Sequence, residues 1–143
     1  MTDTAQVIDA IERLTSLTDF NASEIARVLS LVFGADPSTT NGFYRGFVAH
    51  PARSVFSIVE YREPIPGSAA VGARKILTLT AREGAVVARH DIETHFGARP
   101  PSQIIPEGLQ SFSYAMGRCA VHFTYRTAGM TLHHVAIQVP TAG

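Results

Sequence analysis

The sequence predicts an α+β protein in which an extra N-terminal helix precedes two tandem α-β-β-β units. Their strands form one antiparallel sheet of about six strands with the helices on one face. Two observations carry this. First, short segments recur. Phe33-Gly34-Ala35-Asp36-Pro37 returns as Phe96-Gly97-Ala98-Arg99-Pro100, and Val59-Glu60-Tyr61-Arg62 returns as Phe123-Thr124-Tyr125-Arg126. Second, each half passes from helical spacing of its apolar residues to strand-like alternation, three strands at a time. The 143 residues read as a single domain over 1–143. The N-terminal helix lies at about 4–17, the first unit at about 18–80 and the second at about 81–140.

In the first helix Val7, Ile8, Ile11, Leu14 and Leu17 form one apolar stripe, with Asp9, Glu12 and Arg13 opposite. A second helix is expected at 22–33. Asn21 is positioned to cap it with Glu24 three residues on, Ile25, Val28, Leu29 and Val32 form its buried face, and Gly34 is the expected left-handed stop. Strands follow at 43–49, 54–62 and 75–80, with the loop 63–73 carrying Pro64, Pro66, Gly67 and Gly72. A short helix at 88–96 places Ala88, Ile92 and Phe96 on one side and stops at Gly97. The last strands are expected near 110–116, 118–126 and 131–139, with a tight turn at Ala128-Gly129.

Composition removes several function classes. Twelve basic residues balance twelve acidic ones, with a pI of 7.0, so nothing favours a phosphate backbone and nucleic acid is not an expected partner. No apolar run reaches the roughly 20 residues of a membrane span. The start Met1-Thr2-Asp3-Thr4-Ala5-Gln6 has neither a basic region nor a long apolar run. The expectation is a cytoplasmic chain as it stands, or a periplasmic one if a leader has been removed. Cys119 is the single cysteine, which excludes a disulfide within the chain. Its alternation with Val121 and Phe123 predicts a buried, inert thiol.

The repeated helix, the Phe-Gly-Ala-x-Pro stop with Tyr44 or Tyr114 beyond it, and the later Tyr-Arg pair resemble the unit of BamE/SmpA outer-membrane lipoproteins. They also resemble the tandem units of β-lactamase inhibitor proteins. The resemblance covers about residues 21–139 and implies a non-enzymatic protein-binding module. The chain departs from both families. One cysteine cannot make the inhibitors' disulfides, and the lipoproteins' leader and acylated cysteine are not seen.

Catalytic signatures are sparse, so the sequence favours a non-enzyme. Gly42-x-x-x-Gly46 lacks the Lys-Ser/Thr of a phosphate loop, and Ser111 and Ser113 lack a nucleophile elbow. His90, Asp91 and His95 on the short helix are the metal-ligand alternative. His133 and His134 are expected on opposite strand faces, and His122 and His134 on the same face. The outward sheet side is the expected partner-binding surface, through Tyr44, Phe56, Ile58, Arg62, His122 and Arg126, a mix of aromatic and Arg character typical of interfaces. The leading expectation is a bacterial inhibitor, immunity-type or assembly protein, whose partner is another protein or a second copy of itself. It requires no cofactor. The alternatives are a small-molecule or metal-binding protein or enzyme with a pocket between sheet and helices, and a secretion-chaperone-like dimer.

Overall fold

The computed structural model describes residues 1–67 and 73–141; residues 68–72 of the expected loop 63–73 lie outside the described residues. Helix α1 (Asp3–Thr15) opens on Thr2, whose Oγ1 accepts from the Ala5 N–H at 3.1 Å, and it buries Val7, Ala10, Ile11 and Leu14. Helix α2 (Ala22–Leu29) is capped as expected, Asn21 Oδ1 accepting from the Glu24 N–H at 2.9 Å. Helix α3 (Arg89–Phe96) ends on Gly97, whose N–H donates to Glu93 O at 2.8 Å.

Eight strands, rather than about six, make one antiparallel sheet: β1 (Gly34–Ala35), β2 (Tyr44–Ala49), β3 (Phe56–Pro64), β4 (Arg74–Ala81), β5 (Gln103–Ile105), β6 (Leu109–Met116), β7 (Cys119–Arg126) and β8 (Leu132–Pro140). Their order across the sheet is β1-β2-β3-β4-β8-β7-β6-β5. The two unexpected strands are the edges, and two or three residues are too few to show an alternation in sequence. Each half therefore reads helix, then four strands, and the halves join where β4 pairs with β8.

The expected Gly34 helix stop is corrected. Helix α2 ends earlier, with Ser30 in the left-handed region at φ 53°. Ser30 N–H donates to Arg27 O at 3.4 Å and Leu31 N–H to Ala26 O at 3.0 Å, a Schellman arrangement built without glycine. Gly34 instead lies in β1. The same five-residue segment thus stops a helix at Gly97, where φ is 99°, and forms an edge strand at Gly34. Phe33 and Phe96 nonetheless pack alike. Phe33 lies 6.1 Å from Phe47 and 6.4 Å from Tyr61, and Phe96 lies 6.1 Å from Tyr114 and 5.8 Å from Phe123.

One cross-strand row fixes the helix side of the sheet: Phe47, Tyr61, Leu77, Ile137, Val121 and Tyr114 are successive partners from β2 to β6. Partners on a ladder share a face, and these residues join the buried cluster to which all three helices contribute. Helix α1 touches both α2 and α3. The linker between α1 and α2 is held by its carbonyls: Phe20 O accepts from Lys75 Nζ at 2.6 Å and from Tyr61 Oη at 3.4 Å, and Thr18 O accepts from an Arg118 guanidinium nitrogen at 2.7 Å. Among the described residues no helix is long and apolar enough to cross a membrane.

Candidate functional site

With the helices on one side, the other side of the sheet is open from β3 to β6, and over β2 it is covered by the 36–43 loop, where Thr39 lies against Gly46. Three rows cross it. One runs Glu60, Thr78, Ala136, His122, Ser113; a second Arg62, Ile76, Gln138, Ala120, Ala115; a third Ile58, Thr80, His134, Thr124, Ser111. On β4, β8, β7 and β6 none of these row positions carries Lys, Arg, Asp or Glu. Most are half-buried by their neighbours, and Ser111 and Thr124 are buried outright with their hydroxyls 2.7 Å apart. Formal charge appears at the margin: Glu60 and Arg62 on β3, Arg74 at the start of β4 and Arg126 at the end of β7.

The expected partner-binding residues mostly reach this face. Tyr44 and Arg62 meet at its β2–β3 margin, the guanidinium 5.3 Å from the ring centroid. Ile58, His122 and Arg126 also face outward. Arg126 is exposed and donates from Nη1 to Leu132 O at 3.4 Å. Phe56 is the correction. It is 2% exposed and belongs to the core. Phe56 pairs with Ala81 and Ile58 with Thr80, so Ser57 is an extra residue. A bulge of one residue reverses the alternation upstream of it and turns Phe56 inward.

A second bulge corrects the histidine pair. Thr124 pairs with His134 and Tyr125 with Leu132, leaving His133 unpaired in the ladder. His133 and His134 are therefore not held on opposite faces, and their Nδ1 atoms lie 2.7 Å apart. One must donate and the other accept, so the two rings cannot both be charged in this contact. His122 and His134 do share the open face, as expected, on diagonal positions of β7 and β8.

His122 heads a hydrogen-bond chain whose direction can be worked out from its far end. Ser102 Oγ donates to the Ser111 carbonyl at 3.0 Å, an acceptor only. Ser102 Oγ accepts from Ser113 Oγ at 2.8 Å. Ser113 has then used its proton, so its oxygen accepts from His122 Nδ1–H at 2.7 Å. This fixes the Nδ1–H tautomer and leaves Nε2 as the free lone pair. A nucleophilic serine needs the reverse, its proton passing toward the imidazole. Burial holds His122, His133 and His134 below the ordinary histidine value. The positive charges of Arg74 on His122 and of Arg126 on His133 add to the effect, as does His133 on His134.

The metal-ligand alternative is not assembled. His90, Asp91 and His95 are all exposed on α3. His95 Nε2 lies 2.9 Å from Glu12 Oε1, tying α3 to α1. Among the described residues no three His, Cys, Asp or Glu side chains are grouped as metal ligands would be. Cys119 is buried, and burial pushes its thiol up, away from the reactive thiolate.

The sequence reading missed the uncharged centre of the open face. It depends on β4 lying beside β8, a pairing between the two halves with no local signature. The signal available was parity: between Arg74 at the start of β4 and Arg126 at the end of β7, the outward positions of four separate strands lack formal charge. Comparison of the chain with protein-family models, curated proteins and solved structures found no match.

Proposed function

We propose that the chain is a non-catalytic protein-binding module, of inhibitor, immunity or assembly type, that docks through the open face of its sheet. The observation that carries this is the distribution of charge: an uncharged centre on β4, β8, β7 and β6, with Arg62 stacked on Tyr44, Arg74 and Arg126 at its margin. Interfaces have this anatomy, a centre depleted of charge within a polar rim where Arg and aromatics are enriched. A face kept only for water has no reason to exclude Lys and Glu from so many neighbouring outward positions. The direction of the His122–Ser113–Ser102 chain supports a structural role for that polar set rather than an activated nucleophile.

The proposal includes a duplicated scaffold, with α2–β4 and α3–β8 as two copies of one helix–four-strand unit. The repeated element order, the mirrored strand order and the like packing of Phe33 and Phe96 support it. The likeness to BamE/SmpA lipoproteins and β-lactamase inhibitor proteins enters here as an analogy of architecture and use.

A photo-crosslinking residue at Thr78 tests the docking face in an extract of the native host. The expected product is a protein cross-link that Ala136→Glu abolishes. Cross-links that form only from a probe on the helix side, such as at Arg27, would overturn the reading.

A further inference from the structure

We propose that the occupant of the open face is a second copy of this chain, docked sheet against sheet with the helices outside. This rests on the reading of that face as a docking surface and commits it to one partner.

Size is the first support. Five long strands, β3, β4, β8, β7 and β6, lie clear of the 36–43 loop. About 4.8 Å apart and each paired over about seven residues of about 3.3 Å, they give a panel of roughly 550 Å² per copy, so two copies bury about 1,100 Å², above the about 1,000 Å² that a specific interface needs. Side-chain size is the second. Stacked sheets lie about 10 Å apart with strands about 30° from alignment. Thr78, Ala136 and Ala120 at the centre are short enough for such an approach, while the long side chains Arg62, Arg74 and Arg126 stand at the margin.

Self-complementarity is the third. In a two-fold dimer one patch meets its own copy, so any charge at the centre would be set against its like. This centre has none. The margin then distinguishes two axes. An axis running across the strands lays β3 over β3 with its direction reversed, so that Glu60 or Arg62 meets its own like where the axis passes through its row, and Glu60 meets Arg62 where the axis passes between their rows. An axis running along the β4–β8 seam lays β3 of one copy over β7 of the other. Glu60, on the same row as His122, then faces His122 of the second copy.

Sedimentation velocity over a dilution series of the full chain tests the inference. The expected result is a dimer that Thr78→Glu and Ala136→Glu each convert to a monomer with an unchanged circular dichroism spectrum. Should the glutamate variants fail to fold, Ala136→Cys supplies a second readout, because Cys119 is buried and the new thiol is the one that reacts. Its maleimide labelling is expected to be slow in the dimer and to accelerate on dilution. A wild-type monomer at every concentration, a dimer that survives both glutamates, or labelling at a concentration-independent rate overturns the proposal. A monomer that still cross-links a different protein from Thr78 removes the second copy and leaves the docking face standing. A monomer whose only cross-links arise from the helix side removes both.

Discussion

Gly46→Ala is expected to weaken the protein, although alanine is the better residue in most strands. Gly46 lies on β2 beneath Thr39, and a Cβ added there would collide with Thr39 Oγ1 and come within 2.9 Å of Thr39 Cβ and 3.2 Å of its carbonyl carbon. Thr39 has little room to retreat. Its N–H donates to Asp36 O at 3.3 Å and its Oγ1 to Asp36 Oδ2 at 3.1 Å. Thr40 Oγ1 accepts from the Gly46 N–H at 3.0 Å, and Asp36 N–H donates to Gly46 O at 2.9 Å, so both flanks of the loop are fastened to β2. Two gains oppose the clash: about 0.4–1 kcal/mol from a less flexible unfolded chain and up to about 0.8 kcal/mol from burying a methyl group. Overpacking against a tied loop costs about 1–3 kcal/mol, and the fastening places this case at the upper end. The net expectation is a loss of about 1 kcal/mol. Thr39→Gly removes the side-chain part of the obstruction, so the double variant should be more stable than the two single losses predict, by about 1–2 kcal/mol. Urea unfolding of the four proteins measures the coupling. A Gly46→Ala protein as stable as the parent, or strictly additive losses, would refute the seating of the 36–43 loop on β2.

Ser30→Gly should stabilise the chain by about 1 kcal/mol, because the serine occupies a left-handed conformation that glycine adopts without a Cβ penalty; a higher thermal midpoint checks it. Acidification should destabilise the fold beginning below the ordinary histidine value of 6.5. His122, His133 and His134 are all held below that value, so the unfolded chain takes up protons first, and their contribution is complete above 6.5 and lost as pH falls through the depressed folded values. Asp36, held below its ordinary 3.8 chiefly by the Ser38 hydroxyl, acts only at lower pH. Denaturation midpoints between these ranges should therefore flatten in a His122→Gln, His134→Gln double variant, and an unchanged pH slope would count against the assignment. Nitrogen NMR of the imidazoles at neutral pH should find His122 protonated at Nδ1, and an Nε2–H tautomer would reverse the Ser113 hydrogen bond.

Much of the architecture was legible because its elements are long enough to show a period. The stripe Val7, Ile11, Leu14 and the cap Asn21 specify their helices locally, and Leu77, Leu79, Val121 and Phe123 alternate as buried strand residues must. What was not legible depends on events of one residue or on non-local pairing. Ser57 and His133 are each one residue too many for their ladders, and each inverts or merges side chains that strict alternation assigns elsewhere. Ser30 ends a helix because the chain can turn left-handed there and bond Leu31 back to Ala26, which no glycine announces. The repeated Tyr-Arg pair also misleads at residue level. Tyr61 stands opposite Leu77 in the middle of the sheet, whereas Tyr125 stands opposite Leu132 at a strand end, and Val121 occupies the row of Tyr61. Tyr44, Ile58, Arg62, His122 and Arg126 share one face, as strict alternation assigns them, because parity survives wherever no bulge intervenes.

The way the sheet is protected bears on how it is used. An open sheet has two routes to association, along its edges and across its face. The edges are closed by design: β1 pairs over two residues and β5 over three, so neither offers a long row of free backbone donors and acceptors. The face has no comparable defence. Charges that would keep another surface away are confined to β3 and to the ends of β4 and β7, and the central rows are left to threonine, alanine, glutamine, isoleucine, serine and neutral histidine. A chain under pressure only to remain single would place lysine or glutamate at Thr78 or Ala136, where an outward side chain costs the core nothing. Guarded edges beside a face with an uncharged centre are the asymmetry that the proposed sheet-against-sheet docking requires.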